Sequence, residues 1–112
     1  EVMNVVGDVR GHNCLMVDDL IDTAGTLIQG TEALYDRGAL TVSACATHAV
    51  LSGPALERIA ASRLKEVVFT DSIPLSEAAR KSGTIRQLSI APLLARAIQS
   101  IHEETSVSIL FI

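Results

Sequence analysis

The chain has 112 residues, with thirteen acidic side chains against nine Lys and Arg, a formal charge of −4 and 48% hydrophobic residues. That balance fits one compact soluble domain and excludes low-complexity disorder, because the apolar content suffices for a core and no block of like charge occurs. No apolar run reaches the length of about 18 residues that a membrane span needs, and no leader pattern opens the chain, so a cytoplasmic location is expected. The first residue is Glu1 and not Met, which suggests a piece of a longer protein.

The charge is uneven. Residues 1–36 hold seven acids and one base, Arg10, whereas residues 37–112 hold six acids and eight bases. An acidic first third argues against a nucleic-acid surface, which needs clustered Lys and Arg, and suits a divalent metal or a polyol. The aromatics are few, Tyr35, Phe69 and Phe111, so base stacking is not expected. Cys14 and Cys45 have no metal-binding spacing and read as small buried hydrophobes in a reducing compartment.

In chain order, Cys14 to Val17 reads as a buried parallel strand ending at Asp18 and Asp19. Leu27, Ile28, Ala33 and Leu34 recur at helical spacing, and Gly38 stands where a helix-ending glycine belongs. Thr41 to Ala46 is a second strand. Pro54 opens a helix with Leu56, Ile59 and Ala60 on one face. Glu66 to Thr70 is a third strand, residues 72–83 hold a single helical turn, and Ile85 to Leu88 is a weaker fourth strand. Ser89 and Pro92 open a last helix with Leu93, Leu94, Ala97, Ile98 and Ile101 turned inward, and Val107 to Ile112 reads as a final short strand. This alternation is that of a mostly parallel sheet flanked by helices, Rossmann-like in class, in one domain over residues 1–112.

The informative stretch is the turn between the first strand and first helix. In open parallel sheets, ligands bind at that edge. Thr23, Ala24, Gly25 and Thr26 are small enough for backbone N–H groups to approach an anion, and the following helix adds its N-terminal dipole. The Thr23 and Thr26 hydroxyls add donors, and no lysine is needed. Of Asp18 and Asp19, one should face the ligand edge, where it accepts hydrogen bonds from vicinal hydroxyls or holds Mg²⁺; Asp22 is placed to cap the helix or orient the loop. A ligand with phosphate at one end and a diol at the other suits the turn. The same residues would also serve as an ordinary βα turn.

Residues Val17-Asp-Asp-Leu-Ile-Asp-Thr-Ala-Gly-Thr26 resemble the phosphoribosyl-diphosphate signature of proteins with the type I phosphoribosyltransferase fold. The flanks Val6-Gly7-Asp8-Val9-Arg10-Gly11, Ala46-Thr47-His48-Ala49, Ser52-Gly53, Thr70-Asp71-Ser72-Ile73-Pro74, Ser106-Val107-Ser108 and Leu110-Phe111 are similar to ribose-phosphate pyrophosphokinases of the bacterial type, and the likeness runs from Val2 to Phe111. The resemblance implies the C-terminal half of a two-domain enzyme that transfers diphosphate from ATP to ribose 5-phosphate with Mg²⁺ and forms homo-oligomers. It implies that Asp22, Thr23, Ala24, Gly25 and Thr26 hold the 5-phosphate while Asp18, supported by Asp19, contacts the ribose hydroxyls. It places Ser106, Ser108 and Phe111 in a regulatory phosphate or ADP site, for which a plain edge strand is the alternative. The ATP contacts, most metal ligands and the loop bearing catalytic Lys and Arg lie upstream in the family. No catalytic or metal-binding residue is therefore assigned in this chain, and the 112 residues alone are expected to be inactive. A nucleobase phosphoribosyltransferase and a non-catalytic regulatory paralogue are the alternatives. No nucleic-acid or membrane partner is expected. His48 reads as structural or as a binding residue; His12 and His102 read as solvent-facing.

Overall fold

The computed structural model describes residues 5–111, so Val2 and Ile112, the outer limits of the resemblance and of the expected last strand, lie outside the described residues. The elements are β1 (Asn13–Ile21), α1 (Gly25–Asp36), β2 (Thr41–Ala49), α2 (Ala55–Ala61), β3 (Val67–Thr70), α3 (Glu77–Arg80), β4 (Ile85–Leu88) and α4 (Ala91–His102). The four strands form one parallel sheet in the order β1-β2-β3-β4. The expected α/β class is the one observed, although β1 and β2 each run three or four residues past their expected ends. Parallel pairing to β2 carries β1 through Asp18 and Leu20 to Ile21, opposite Ala46, His48 and Ala49.

Strand order follows chain order. Right-handed crossovers in that order place successive helices on the same side of the sheet. The core accordingly lies on one side. Val42, Ala44, Val67 and Phe69 from the strands meet Leu27, Ala55, Ile59 and Ala79 from the helices, all buried. Tyr35 ties the layers together: its hydroxyl donates to the Arg63 carbonyl at 2.8 Å and accepts from the Val42 N–H at 3.1 Å. The Arg63 guanidinium lies 4.3 Å over the Tyr35 ring and pairs with Glu32 at 2.8 Å. Gly38 ends α1 as expected, at φ +90°, a conformation that favours glycine. Ser76 caps α3 by accepting from the Ala79 N–H at 3.1 Å.

Several expectations about packing and about the tail need correction. The first strand is not buried on both faces: Leu15 is 62% and Val17 74% exposed, because β1 is an edge strand with helices on one side only. Helix α4 forms where expected, but Leu93, Leu94, Ala97, Ile98 and Ile101 do not point into a core; Ile98 and Ile101 are 68% and 67% exposed, and within the helix only Ser100 is buried. Periodicity located the apolar stripe but not its partner. The tail is not a strand. Ser108–Phe111 is a 3₁₀ turn, held by a Leu110 N–H bond to the Val107 carbonyl at 3.0 Å. The cysteines are free and half-buried rather than fully buried, and Ala60 is exposed.

Candidate phosphate-binding bend

The end of β1 and the start of α1 form a bend that lines a groove of about 410 Å³, bordered by residues 18–27. The structure brings every residue singled out at this edge, from Asp18 to Thr26, into that groove. Both Asp18 and Asp19 are exposed, so neither is withdrawn into the core. Their carboxylates also turn to the backbone: the Asp18 side chain accepts from the Asp19 N–H and the Asp19 side chain from the Leu20 N–H, both at 2.8 Å. The Asp19 carboxyl is held below its ordinary range, first by a side-chain hydrogen bond with Asp18 and then by the Leu20 amide, with a smaller contribution from the nearby His48. Asp19 therefore stays ionised wherever an ordinary aspartate would.

Asp22 does not cap α1. The cap position belongs to Ala24, at φ +67° and ψ 8°, and among the described residues no side chain bonds to the first amides of the helix. Ala24 is itself buried, so its methyl belongs to the core while its backbone turns the bend. The left-handed conformation ends the strand abruptly and leaves the first-turn N–H groups of α1 without a side-chain acceptor. Those amides carry the positive end of the helix dipole.

The β2–α2 connection and helix α2 hold the bend from behind. Leu51 N–H donates to the Ile21 carbonyl at 3.0 Å, Ser52 N–H to the Asp22 carbonyl at 2.9 Å, and Arg58 Nη1 to the Thr23 carbonyl at 2.9 Å. Three successive carbonyls thus face the same neighbour. In a trans peptide the following N–H points the opposite way, so the Asp22, Thr23 and Ala24 amides are directed toward the free side of edge strand β1. Amides so directed would be free to donate to an anion. Arg58 was not singled out from the sequence. It lies more than thirty residues downstream, and only the packing of α2 brings it under the bend.

His48 is exposed at the same sheet edge, where its Nδ1 lies 2.7 Å from the Ser72 hydroxyl. Thr70 and Ser72 hydroxyls both donate to the Thr47 carbonyl, at 2.6 and 3.1 Å. This network joins the ends of β2 and β3 and gives His48 a structural partner. His12 and His102 are exposed as expected. In the tail, the Ser106 and Ser108 hydroxyls are 2.6 Å apart and Phe111 is exposed. Among the described residues no group of three His, Cys, Asp or Glu side chains converges on a metal site. Among the described residues, the Asp18 and Asp19 carboxylates at the groove would fit an Mg²⁺ ion held mainly by substrate phosphates and water. Among the described residues no helix is long and apolar enough to cross a membrane.

A family model described as the phosphoribosyl synthetase-associated domain matches residues 1–112. A ribose-phosphate pyrophosphokinase of Caldanaerobacter subterraneus subsp. tengcongensis is 60% identical over 111 residues, covering 99% of this chain and 35% of that protein. One from Neisseria meningitidis serogroup A is 56% identical over 111 residues, again 99% of this chain and 34% of the relative. The crystal structure of phosphoribosylpyrophosphate synthetase from Mycobacterium smegmatis superposes with a TM-score of 0.83 at 42% identity, over 88% of this chain and 33% of that one. The chain thus spans about a third of the length of these relatives. On a match over its full length, the chain belongs to the phosphoribosyl synthetase-associated domain family.

Proposed function

We propose that the chain is the C-terminal, ribose 5-phosphate-binding domain of a cytoplasmic ribose-phosphate diphosphokinase. One observation carries this reading: the bend turns two carbonyls to the β2–α2 connection and a third to Arg58 of α2, which leaves its amides for the groove, where Asp18 and Asp19 stand at the strand end. Amides and the helix dipole suit the 5-phosphate, and the carboxylates, which would repel a phosphate, suit the ribose hydroxyls. The chain's similarity to ribose-phosphate pyrophosphokinases supports the same ligand. Phosphate is held by residues 22–26, and Asp18, backed by Asp19, orients the ribose.

In the complete enzyme the anomeric hydroxyl attacks the β-phosphorus of ATP and AMP leaves. The contribution of this domain is positioning: it fixes the sugar by its two ends and presents the 1-hydroxyl. Mg²⁺, when bound, supplies charge neutralisation at the diphosphate. ATP is held by the part of the protein upstream, so the 112 residues alone carry out no transfer. Ser106, Ser108 and Phe111 form part of a regulatory phosphate or ADP site that is completed between subunits of a homo-oligomer.

Titration of the chain with ribose 5-phosphate and Mg²⁺, followed by amide chemical shifts, tests the reading. Shifts concentrated at residues 18–26 are expected; their absence at millimolar sugar phosphate, or shifts centred elsewhere, would overturn it.

A further inference from the structure

The bend contains no lysine, yet it is not without a cation. The Arg58 Nη1 atom lies 2.9 Å from the Thr23 carbonyl, and a Cβ on Gly25 would sit 3.3 Å from the same nitrogen. The guanidinium is therefore packed against the backbone of the bend, on the side opposite the outward amides. Its charge is not consumed by a carboxylate. Arg63 pairs with Glu32 and Arg86 with Glu66, each at 2.8 Å, whereas among the described residues Arg58 makes no ion pair. A guanidinium spent on a neutral carbonyl does two things. It fixes the peptide that carries the Ala24 N–H, and it leaves a positive field across a bend only one chain thick.

We propose that Arg58 is a positioning residue for the phosphate of the bound sugar, acting through the Thr23–Ala24 peptide and through its uncompensated charge. The proposal rests on the reading of the bend as the 5-phosphate site. Arg58 touches the back of the bend and not the ligand. The absence of a side chain at Gly25 has a matching reason: a methyl group there would press on the guanidinium and loosen its bond to Thr23. The helix that carries Arg58 is anchored independently by the buried Ala55 and Ile59, so neutralising the exposed guanidinium leaves the fold standing.

The test compares wild type with Arg58→Met, which keeps the aliphatic stem and removes charge and donors, and Arg58→Lys, which restores a charge and one donor. Three readouts are taken on the whole 112-residue chain: the thermal midpoint, the heteronuclear NOE of the Thr23, Ala24 and Gly25 amides without ligand, and the affinity for ribose 5-phosphate. Expected for Arg58→Met are a nearly unchanged midpoint, a fall in NOE confined to the bend, and affinity weakened about tenfold, the size of one lost charge-assisted hydrogen bond. Arg58→Lys recovers most of the affinity. Arg58→Met that binds within about twofold of wild type with an unchanged bend overturns the proposal. Should wild type bind no sugar phosphate, the ligand reading fails, while the NOE still decides the clamp: a bend loosened in Arg58→Met sustains it, and an unaltered one refutes it.

Discussion

The two faces of this sheet are made from the same four strands and have opposite fates. On one, Val42, Val67 and Phe69 are covered by α1, α2 and α3 to 1% exposure or less. On the other, Leu15, Val17 and Leu88 stand 62 to 74% exposed, with a shallow hollow of about 200 Å³ between Val17, Cys45, Val68 and Leu88. The difference is topological and not compositional. Strands in sequential order, joined by crossovers of one hand, place their connections on one side, and α4, the element that follows, packs chiefly on the 3₁₀ turn. Alternating residues on parallel strands that are apolar on both sides belong to a sheet designed to be covered twice. The bend that binds the proposed ligand lies at the end of the strand bordering this bare face, so the site is half furnished by covered structure and half open.

The largest expected contrast is energetic. Phe69→Ala on the covered face should cost about 3–5 kcal/mol in urea unfolding, because it leaves a cavity in the buried cluster of that face. Leu88→Ala on the bare face should change stability by about 0.5 kcal/mol or less, since water already reaches that side chain. A comparable loss for both would mean that the second face is covered in solution.

The next contrast is in association. Exposed apolar area of this extent, with Leu94, Ile98 and Ile101 adding a stripe on α4, drives self-association. Sedimentation velocity should show dimers or larger species growing with concentration. The double substitution Val17→Ser and Leu88→Ser should shift that growth to concentrations about tenfold higher, in proportion to the apolar area removed. A monodisperse monomer at high concentration would contradict this expectation.

The contrast between faces also separates what was readable in the residues from what was not. Local chemistry was legible: Gly38 at its positive φ, the strand of residues 85–88, the single turn within 72–83, and the small side chains at residues 23–26 all follow from short-range propensity and spacing. Long-range partners were not. The stripe on α4 has the period of a helix that packs, and period says nothing about what it packs on. Val107 to Phe111 has the composition of a strand, but among the described residues no strand pairs with it, and its backbone closes on itself as a 3₁₀ turn. Asp22 has the right chemistry for a cap, yet the left-handed turn at Ala24 takes that position. At the bend, the residues that line the groove were legible as a contiguous string. Arg58, Leu51 and Ser52 were not, because they act from a different segment.

The smallest expected effect lies where the two faces meet, at the junction of β3 and α4. The Asp71 carboxylate accepts the Ile90 N–H at 2.9 Å, immediately before α4 begins, and is held below its ordinary range by that amide first and the Ser89 side chain second. The sign follows from the direction of the shift. A carboxylate with a depressed folded-state pKa stabilises the fold fully above its unfolded value, and that stabilisation fades as pH falls through the lower folded value. The Asp71 tether should therefore hold at neutral pH and weaken only in acid, below the ordinary aspartate range. In a pH titration by NMR, the Ile90 amide should move with the Asp71 carboxyl in that window, while the buried amides of Val67 and Phe69 stay still. Asp71→Asn should remove the low-pH inflection at Ile90 without altering the covered face. An Ile90 amide that titrates identically in wild type and Asp71→Asn would show that α4 is held to the sheet by something other than this carboxylate.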